Sequence, residues 1–215
     1  MATYLTILRT LAAGALVAFE VSLGALAIAL ATGLLLALAR VFARGRAVPL
    51  AIAVWSEWMR NVPALAHLFV LYFGLASVGV RLAPVPAACI GLGLVGSAVL
   101  CDAFTAGLRS LHVGQREAAL SVGLTPLGAL RFVLLPQMLR VTLPSLGNYA
   151  SQLVKDTSIA SAIAVPEIMF YARQLVTSTF QTAAIYIGAM LLYAAIVLPL
   201  TWGFARAERR LEAAR

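Results

Sequence analysis

Charge is scarce in this sequence. Only 11 % of its 215 residues are Asp, Glu, Lys or Arg, while 62 % are hydrophobic, against roughly a quarter charged and about half apolar in soluble domains. With a mean hydropathy of +0.97, that balance excludes a water-soluble fold and makes lipid the solvent for much of the chain. The length suits one membrane domain. Cysteine is almost absent: Cys89 and Cys101 lie in one apolar stretch, where they read as packing residues rather than a disulfide or metal pair. There is no HExxH, no GxSxG and no cysteine–histidine arrangement, which excludes the common hydrolase sites. Histidine is limited to His67, read as a packing or hydrogen-bonding residue, and His112, in a loop. No GxxxxGK[ST] phosphate loop occurs, so ATP hydrolysis by this chain is not expected. No metal, other cofactor or internal repeat is indicated. The first apolar run has no small-residue cleavage site after a short core, so the N-terminus is expected to be retained.

What is present is a set of long apolar runs. A helix needs roughly twenty mostly apolar residues to cross the hydrocarbon core, and five intervals between charges qualify. They run from Arg9 to Arg40, interrupted by Glu20, from Arg60 to Arg81, from Leu82 to Arg109 with Asp102 near the end, from Arg140 to Glu167, broken by Lys155 and Asp156, and from Gln174 to Ala205. Residues 41 to 60 contain an apolar segment too short to span, with Pro49 and Pro63 at its ends, and read as an interfacial or broken helical entry to the second span. Gly91, Gly93 and Gly96 in the third span read as sites of close helix packing. Glu20 falls at the outer membrane edge.

The formal net charge of +8 would point to nucleic acid in a soluble protein, but here the arginines sit between apolar runs and mark orientation. One set of loops holds Arg40, Arg44, Arg46, Arg60, Arg109, Arg116, Arg131, Arg140, Arg206, Arg209, Arg210 and Arg215; the other holds Arg9, Arg81 and Arg173. The rich set belongs on the cytoplasmic side. The expectation is therefore an N-terminus outside and a C-terminus inside, with Trp55, Trp58 and Trp202 as interfacial anchors near cytoplasmic span ends.

The loop between the third and fourth spans is the most informative segment. Glu117, Ala118, Ala119 and Leu120 favour helix, and Gly123 stands where a left-handed residue would close it. Thr125 suits an N-cap and Pro126 the first position of a second helix, which Pro136 is expected to end. The product is a compact, basic helix-turn-helix.

Glu117-Ala118-Ala119, three residues, Gly123, nine residues, Val133, one residue and Leu135-Pro136 resemble the EAA loop of binding-protein-dependent ABC importer permeases, with Val133 replacing the family's isoleucine. Further segments resemble the polar amino-acid permeases of the histidine, glutamine and arginine type. These are Arg60-Asn61-Val62-Pro63, Tyr72-Phe73-Gly74-Leu75, Gly114-Gln115, Leu135-Pro136-Gln137, Leu143-Pro144 with Asn148, and Lys155-Asp156-Thr157-Ser158. Asn61 departs from the family's glycine, and Asp102 and Thr105 depart from its glutamate and arginine.

The resemblance implies an all-α integral membrane fold of about five transmembrane helices, the type I ABC importer transmembrane domain, over residues 15–207. Residues 1–14 would form an N-terminal periplasmic or interfacial segment and 208–215 a cytoplasmic tail. It also implies inner-membrane location and uptake of a polar amino acid. The implied partners are cytoplasmic ABC ATPase subunits, a periplasmic amino-acid-binding protein and a second permease subunit, identical or related. Glu117, Ala118, Ala119 and Gly123 would couple to the ATPase, with the small alanines allowing close approach.

Lys155 and Asp156 are costly inside a span, roughly 2.5–3.5 kcal/mol each near its centre. As neighbours they point about 100° apart and cannot easily neutralise each other. Counting from Arg140 puts them roughly 22 Å into a core about 30 Å thick, on the outer half. Two readings stand: a structural ion pair, or contact with the substrate along its path. Asp102 reads as a cytoplasmic-side interface residue or a third pathway group. An ion-coupled secondary transporter is the rival function, which would explain the spans but not the ordered loop.

Overall fold

A computed structural model describes residues 2–213, and all its regular elements among them are helical. Helix α1 runs over Ala2–Phe42, α2 over Ala47–Asn61, α3 over Ala64–Ser77 and α4 over Pro84–Ser110. Helix α5 covers Val113–Ser121, α6 Pro126–Ile163, α7 Ile168–Thr179 and α8 Thr182–Glu212. Three of these, α1, α4 and α8, are long and apolar enough to cross a membrane alone; α2 with α3 and α6 with α7 add up to two more as bent pairs.

Small residues let α1 and α4 approach. Ala18, Ser22, Ala25, Ala29, Gly33 and Ala37 recur at three- and four-residue steps on α1 and are all buried. Opposite them, a Cβ on Gly93 would lie 2.7 Å from the Ile28 Cβ, and one on Gly33 would lie 2.9 Å from the Leu100 Cβ. In lipid, where leucine against lipid tail costs nothing, such close packing supplies the dispersion energy that holds helices together. The main core joins Val21, Ala25 and Ala29 of α1 to Leu92, Leu100 and Phe104 of α4 and Met138 and Leu153 of α6. A second cluster joins Leu11 and Ala18 to Ile168 and Ala172 of α7 and Ile185 and Ala189 of α8.

At 41 residues, α1 is about 60 Å long, twice the hydrocarbon thickness. It passes residue 14 without a break, so the expected N-terminal segment and the first span share one helix. Helix α8 likewise carries the basic tail out to Glu212; Arg215 lies outside the described residues.

Several boundaries differ from the sequence expectations. The second span is a short helix of about 20 Å that meets α2 at 100°, which gives the broken entry its form. Pro136 does not end the second loop helix. The chain widens into a π turn at Leu130–Leu134, with the Leu135 N–H donating to the Leu130 carbonyl five residues back. The shifted register makes room for a ring that has no N–H to donate, so α6 continues through Pro136 and through Pro144. The last span begins at Thr182 rather than Gln174, because Phe180 in the left-handed region (φ +57°) closes α7 first.

Candidate functional site

Apart from the stop expected at Pro136, each turn device read from the loop is present. Helix α5 ends with the Gly123 N–H donating to the Leu120 carbonyl at 3.0 Å and the Leu124 N–H to the Ala119 carbonyl at 3.2 Å, the paired bonds of a Schellman motif. Gly123 has φ +86°, and a Cβ there would meet nothing within 4 Å, so backbone conformation alone demands glycine. The Thr125 hydroxyl oxygen accepts the Gly128 N–H at 3.1 Å and Pro126 takes the first turn of α6. Gln137 donates to Gln115 across the two helices at 3.0 Å.

Glu117 and Ala118 are exposed, as a docking surface requires. Ala119 is not: it is 5 % exposed. Around Gly123 the loop bares Val122 and Leu127 (79 % and 72 % exposed). Apolar residues beside the helix-stopping glycine were the signal for them in the sequence.

At the same end of the bundle Asp102 bridges three helices. Its carboxylate pairs with Arg40 of α1 at 2.6 Å and with Arg60 of α2 at 3.1 Å. Arg60 also pairs with Glu57 at 2.5 Å, and Trp55 donates to Ser97 of α4 at 3.3 Å. The two arginines counted as orientation markers are thus also the partners that compensate Asp102, Arg40 tying α1 and Arg60 tying α2 to α4.

Helix α6 carries the third constellation. Ser145, Asn148 and Gln152 are exposed and Asp156 is half-buried, and steps of three and four residues place them on one arc. Gln152 donates to Asp156 at 2.8 Å. Lys155 is exposed at the arc's other edge, and no ion pair joins it to Asp156 among the described residues. The face that begins beside Asp156 and runs round the helix, including Tyr149, Thr142, Leu153, Thr157 and Gly147, is buried. There Tyr149 donates to the Leu92 carbonyl at 3.4 Å, and a Cβ on Gly96 would collide with its hydroxyl. Sequence reading found Lys155 and Asp156 but treated Asn148 only as part of a motif and passed over Ser145 and Gln152. Their common spacing was the missed signal.

Glu167 was read only as a span limit. It is fully buried, caps α7 by accepting the Met169 and Phe170 N–H groups at 2.9 and 2.7 Å, and accepts the Tyr193 hydroxyl of α8. Gly14 of α1 packs on its backbone, where a Cβ would lie 2.7 Å from the Glu167 carbonyl carbon. A carboxylate so surrounded is a junction between α1, α7 and α8. Its signal in the sequence was an acidic residue at the start of an apolar helix, between Pro166 and Ile168.

Residues 29–213 match the family described as binding-protein-dependent transport system inner membrane component. The chain belongs to that family. Similar proteins include the probable glutamine ABC transporter permease protein GlnM of Bacillus subtilis (strain 168), 36 % identical over 74 % of this chain and 73 % of that one. The L-cystine transport system permease protein TcyL of the same organism is 30 % identical over 84 % of this chain and 78 % of its own. Among solved structures, one described as an amino acid ABC transporter with histidines aligns with a TM-score of 0.84 and 27 % identity, over 98 % of this chain and 96 % of that one. Family and fold together make this a transport component of the inner membrane that crosses the bilayer several times, the type I ABC importer transmembrane domain. They favour the importer reading over an ion-coupled secondary transporter.

Proposed function

We propose that this permease forms half of a paired path through which a polar amino acid is imported at the expense of ATP. The observation that carries the proposal is the arc Ser145, Asn148, Gln152, Asp156, with Lys155 at its edge, all exposed on the single chain but for the half-buried Asp156. Polar and charged groups facing lipid are expensive. That face therefore belongs against a second permease, identical or related, across a hydrated path. Asp156 supplies the negative charge that attracts a substrate ammonium group.

The remaining assignments follow from position. Glu117, Ala118 and Gly123, with Val122 and Leu127, form the surface that docks on a cytoplasmic ATPase subunit, while Ala119 holds its interior. Asp102 braces α1, α2 and α4 at the cytoplasmic mouth of the path. The chain itself performs no catalysis. A periplasmic binding protein delivers the substrate from the outer side, where the N-terminus lies, and the basic tail is cytoplasmic. Glutamine and cystine, named for GlnM and TcyL, are the first substrates to try.

The test is uptake of labelled amino acids into proteoliposomes holding the permease, its ATPase and its binding protein. Uptake that needs ATP and survives an ionophore supports the proposal. Uptake driven by an ion gradient without the ATPase contradicts it.

A further inference from the structure

Helix α8 is the least covered of the three helices that can cross the bilayer alone: 11 % of its apolar stretch is buried, against 33 % for α1 and 61 % for α4. Leu191, Leu198 and Trp202 form an outward stripe along it, 61 %, 62 % and 79 % exposed. Phe204 turns the other way and packs on α6, where a Cβ on Gly147 would lie 2.7 Å from the Phe204 Cβ. The outward stripe continues into Arg206 and Arg209, both exposed, one and two turns beyond Trp202. An apolar stripe that ends in tryptophan and then arginine fits a helix leaving the hydrocarbon at Trp202, with its cations at headgroup level.

On this face Trp202, Gly203, Arg206 and Arg209 line a cleft of about 350 Å³. Gly203 accounts for the opening. Its backbone is helical, with no positive φ, and a Cβ there would meet nothing within 4 Å. Neither conformation nor packing requires a glycine, which weakens a helix relative to alanine. What the missing side chain provides is room beside two guanidinium groups. No ion pair among the described residues includes Arg206 or Arg209. Glu208 is half-buried and stands two residues from one and one from the other, spacings that do not face each other on a helix.

We propose that this cleft holds the phosphate of an anionic phospholipid in the leaflet at the C-terminal end of α8. Arg206 and Arg209 pair with phosphate oxygens, which guanidinium groups match two at a time and reach with little loss of hydration. Gly203 lets the headgroup approach the helix, and Trp202 packs on the glycerol backbone. The acyl chains lie along Leu198 and Leu191. From Trp202 to Leu191 the stripe is about 16 Å long, close to half of a hydrocarbon core about 30 Å thick. That length selects a lipid as the occupant, because an acidic protein surface would satisfy the arginines and leave the stripe bare.

The experiment titrates the delipidated permease–ATPase complex in detergent with phosphatidylglycerol or with phosphatidylcholine of the same acyl chains, and native mass spectrometry counts the lipids retained. We expect the first phosphatidylglycerol per permease to bind at least about tenfold more tightly than phosphatidylcholine, as two arginines near an anionic headgroup should allow. With Arg206→Gln and Arg209→Gln together, the preference should fall to within about threefold. Gly203→Leu keeps both charges but fills the cleft, and should lose most of the preference too. Arg44→Gln with Arg46→Gln removes the same charge from the connection between α1 and α2, and should keep it. All of these positions are exposed, so thermal unfolding without added lipid should match the wild type. An unchanged preference in the Arg206 and Arg209 pair overturns the site, and so does an equal loss in the Arg44 and Arg46 pair, which makes the attraction diffuse. Full preference in Gly203→Leu removes the cleft from the account. Loss of the ATPase from the Arg206 and Arg209 pair, with lipid preference intact, also overturns it, because a protein surface then holds the arginines.

Discussion

Arg40 at the end of α1 and Asp102 near the end of α4 are 62 residues apart in sequence and 2.6 Å apart between Nη1 and Oδ1. With Arg60 at 3.1 Å from the other carboxylate oxygen, the pair forms a three-helix clasp at the joint where α2 and α3 meet at 100°. Removing the carboxylate leaves two arginines without their common partner. Asp102→Asn should therefore destabilise the protein by about 1–3 kcal/mol, at the lower end because all three side chains keep some solvent contact. Arg60→Ala should cost less than Arg40→Ala, since Arg60 is 41 % exposed and Arg40 22 %. Thermal unfolding in detergent checks both, and equal stability of Asp102→Asn and wild type contradicts the clasp.

Gly123 is constrained by its φ of +86° and not by space. Asparagine tolerates the left-handed region far better than a β-branched residue. Gly123→Asn should thus keep most substrate-stimulated ATP hydrolysis by the partner, while Gly123→Val should lose most of it with the permease still in the membrane. Glu117→Lys, on the exposed face of α5, should reduce the same signal. Full stimulation in both Gly123→Val and Glu117→Lys removes the coupling role of this loop.

At Gly96 the constraint is space, because a Cβ there would collide with the Tyr149 hydroxyl. Gly96→Ala should cost about 1–3 kcal/mol through overpacking of α4 against α6. Tyr149→Phe in the same chain removes the nearest of the colliding atoms, leaving the ring Cζ and, at 2.9 Å, the Ala29 Cβ, and should recover part of that loss. A double variant no more stable than Gly96→Ala, read by the same thermal unfolding, shows that the contact is not the cause.

The five apolar intervals and the loop punctuation were legible because each is written in local residue chemistry. Gly123, Thr125 and Pro126 each occupy the turn position their side chain or backbone favours. Pro136 misled because a proline's local preference can be absorbed by a π turn placed one residue before the helix resumes. Phe180 misled for a similar reason: nothing in a phenylalanine announces a left-handed cap. The clasp on Asp102, the burial of Glu167 and the inward turn of Ala119 depend on distant helices, so no local pattern contained them. The polar arc of α6 was present as spacing all along. Lys155 and Asp156 drew attention by their charge and hid the uncharged Ser145, Asn148 and Gln152 beneath them.

Asp156→Asn keeps nearly the same shape and can still bond to Gln152, so folding should be preserved. The loss of charge should lower uptake per assembled complex at least about tenfold, while basal ATP hydrolysis and docking of the binding protein persist. A fall in the amount of complex with normal transport per complex makes Asp156 a structural residue instead.

Whether the arc of α6 faces water is the most direct question for the whole account. Cys89 and Cys101 are first replaced by alanine, and single cysteines are then placed at Ser145, Asn148 and Gln152 on the arc and at Ile187 and Leu191 on the exposed apolar face of α8. A membrane-impermeant thiol reagent is applied to the assembled complex in proteoliposomes, with and without ATP. The account predicts labelling at all three arc positions, at rates that change with ATP, and none at the two α8 positions. Protection of the arc in every state, with labelling no faster than at Ile187, would contradict it.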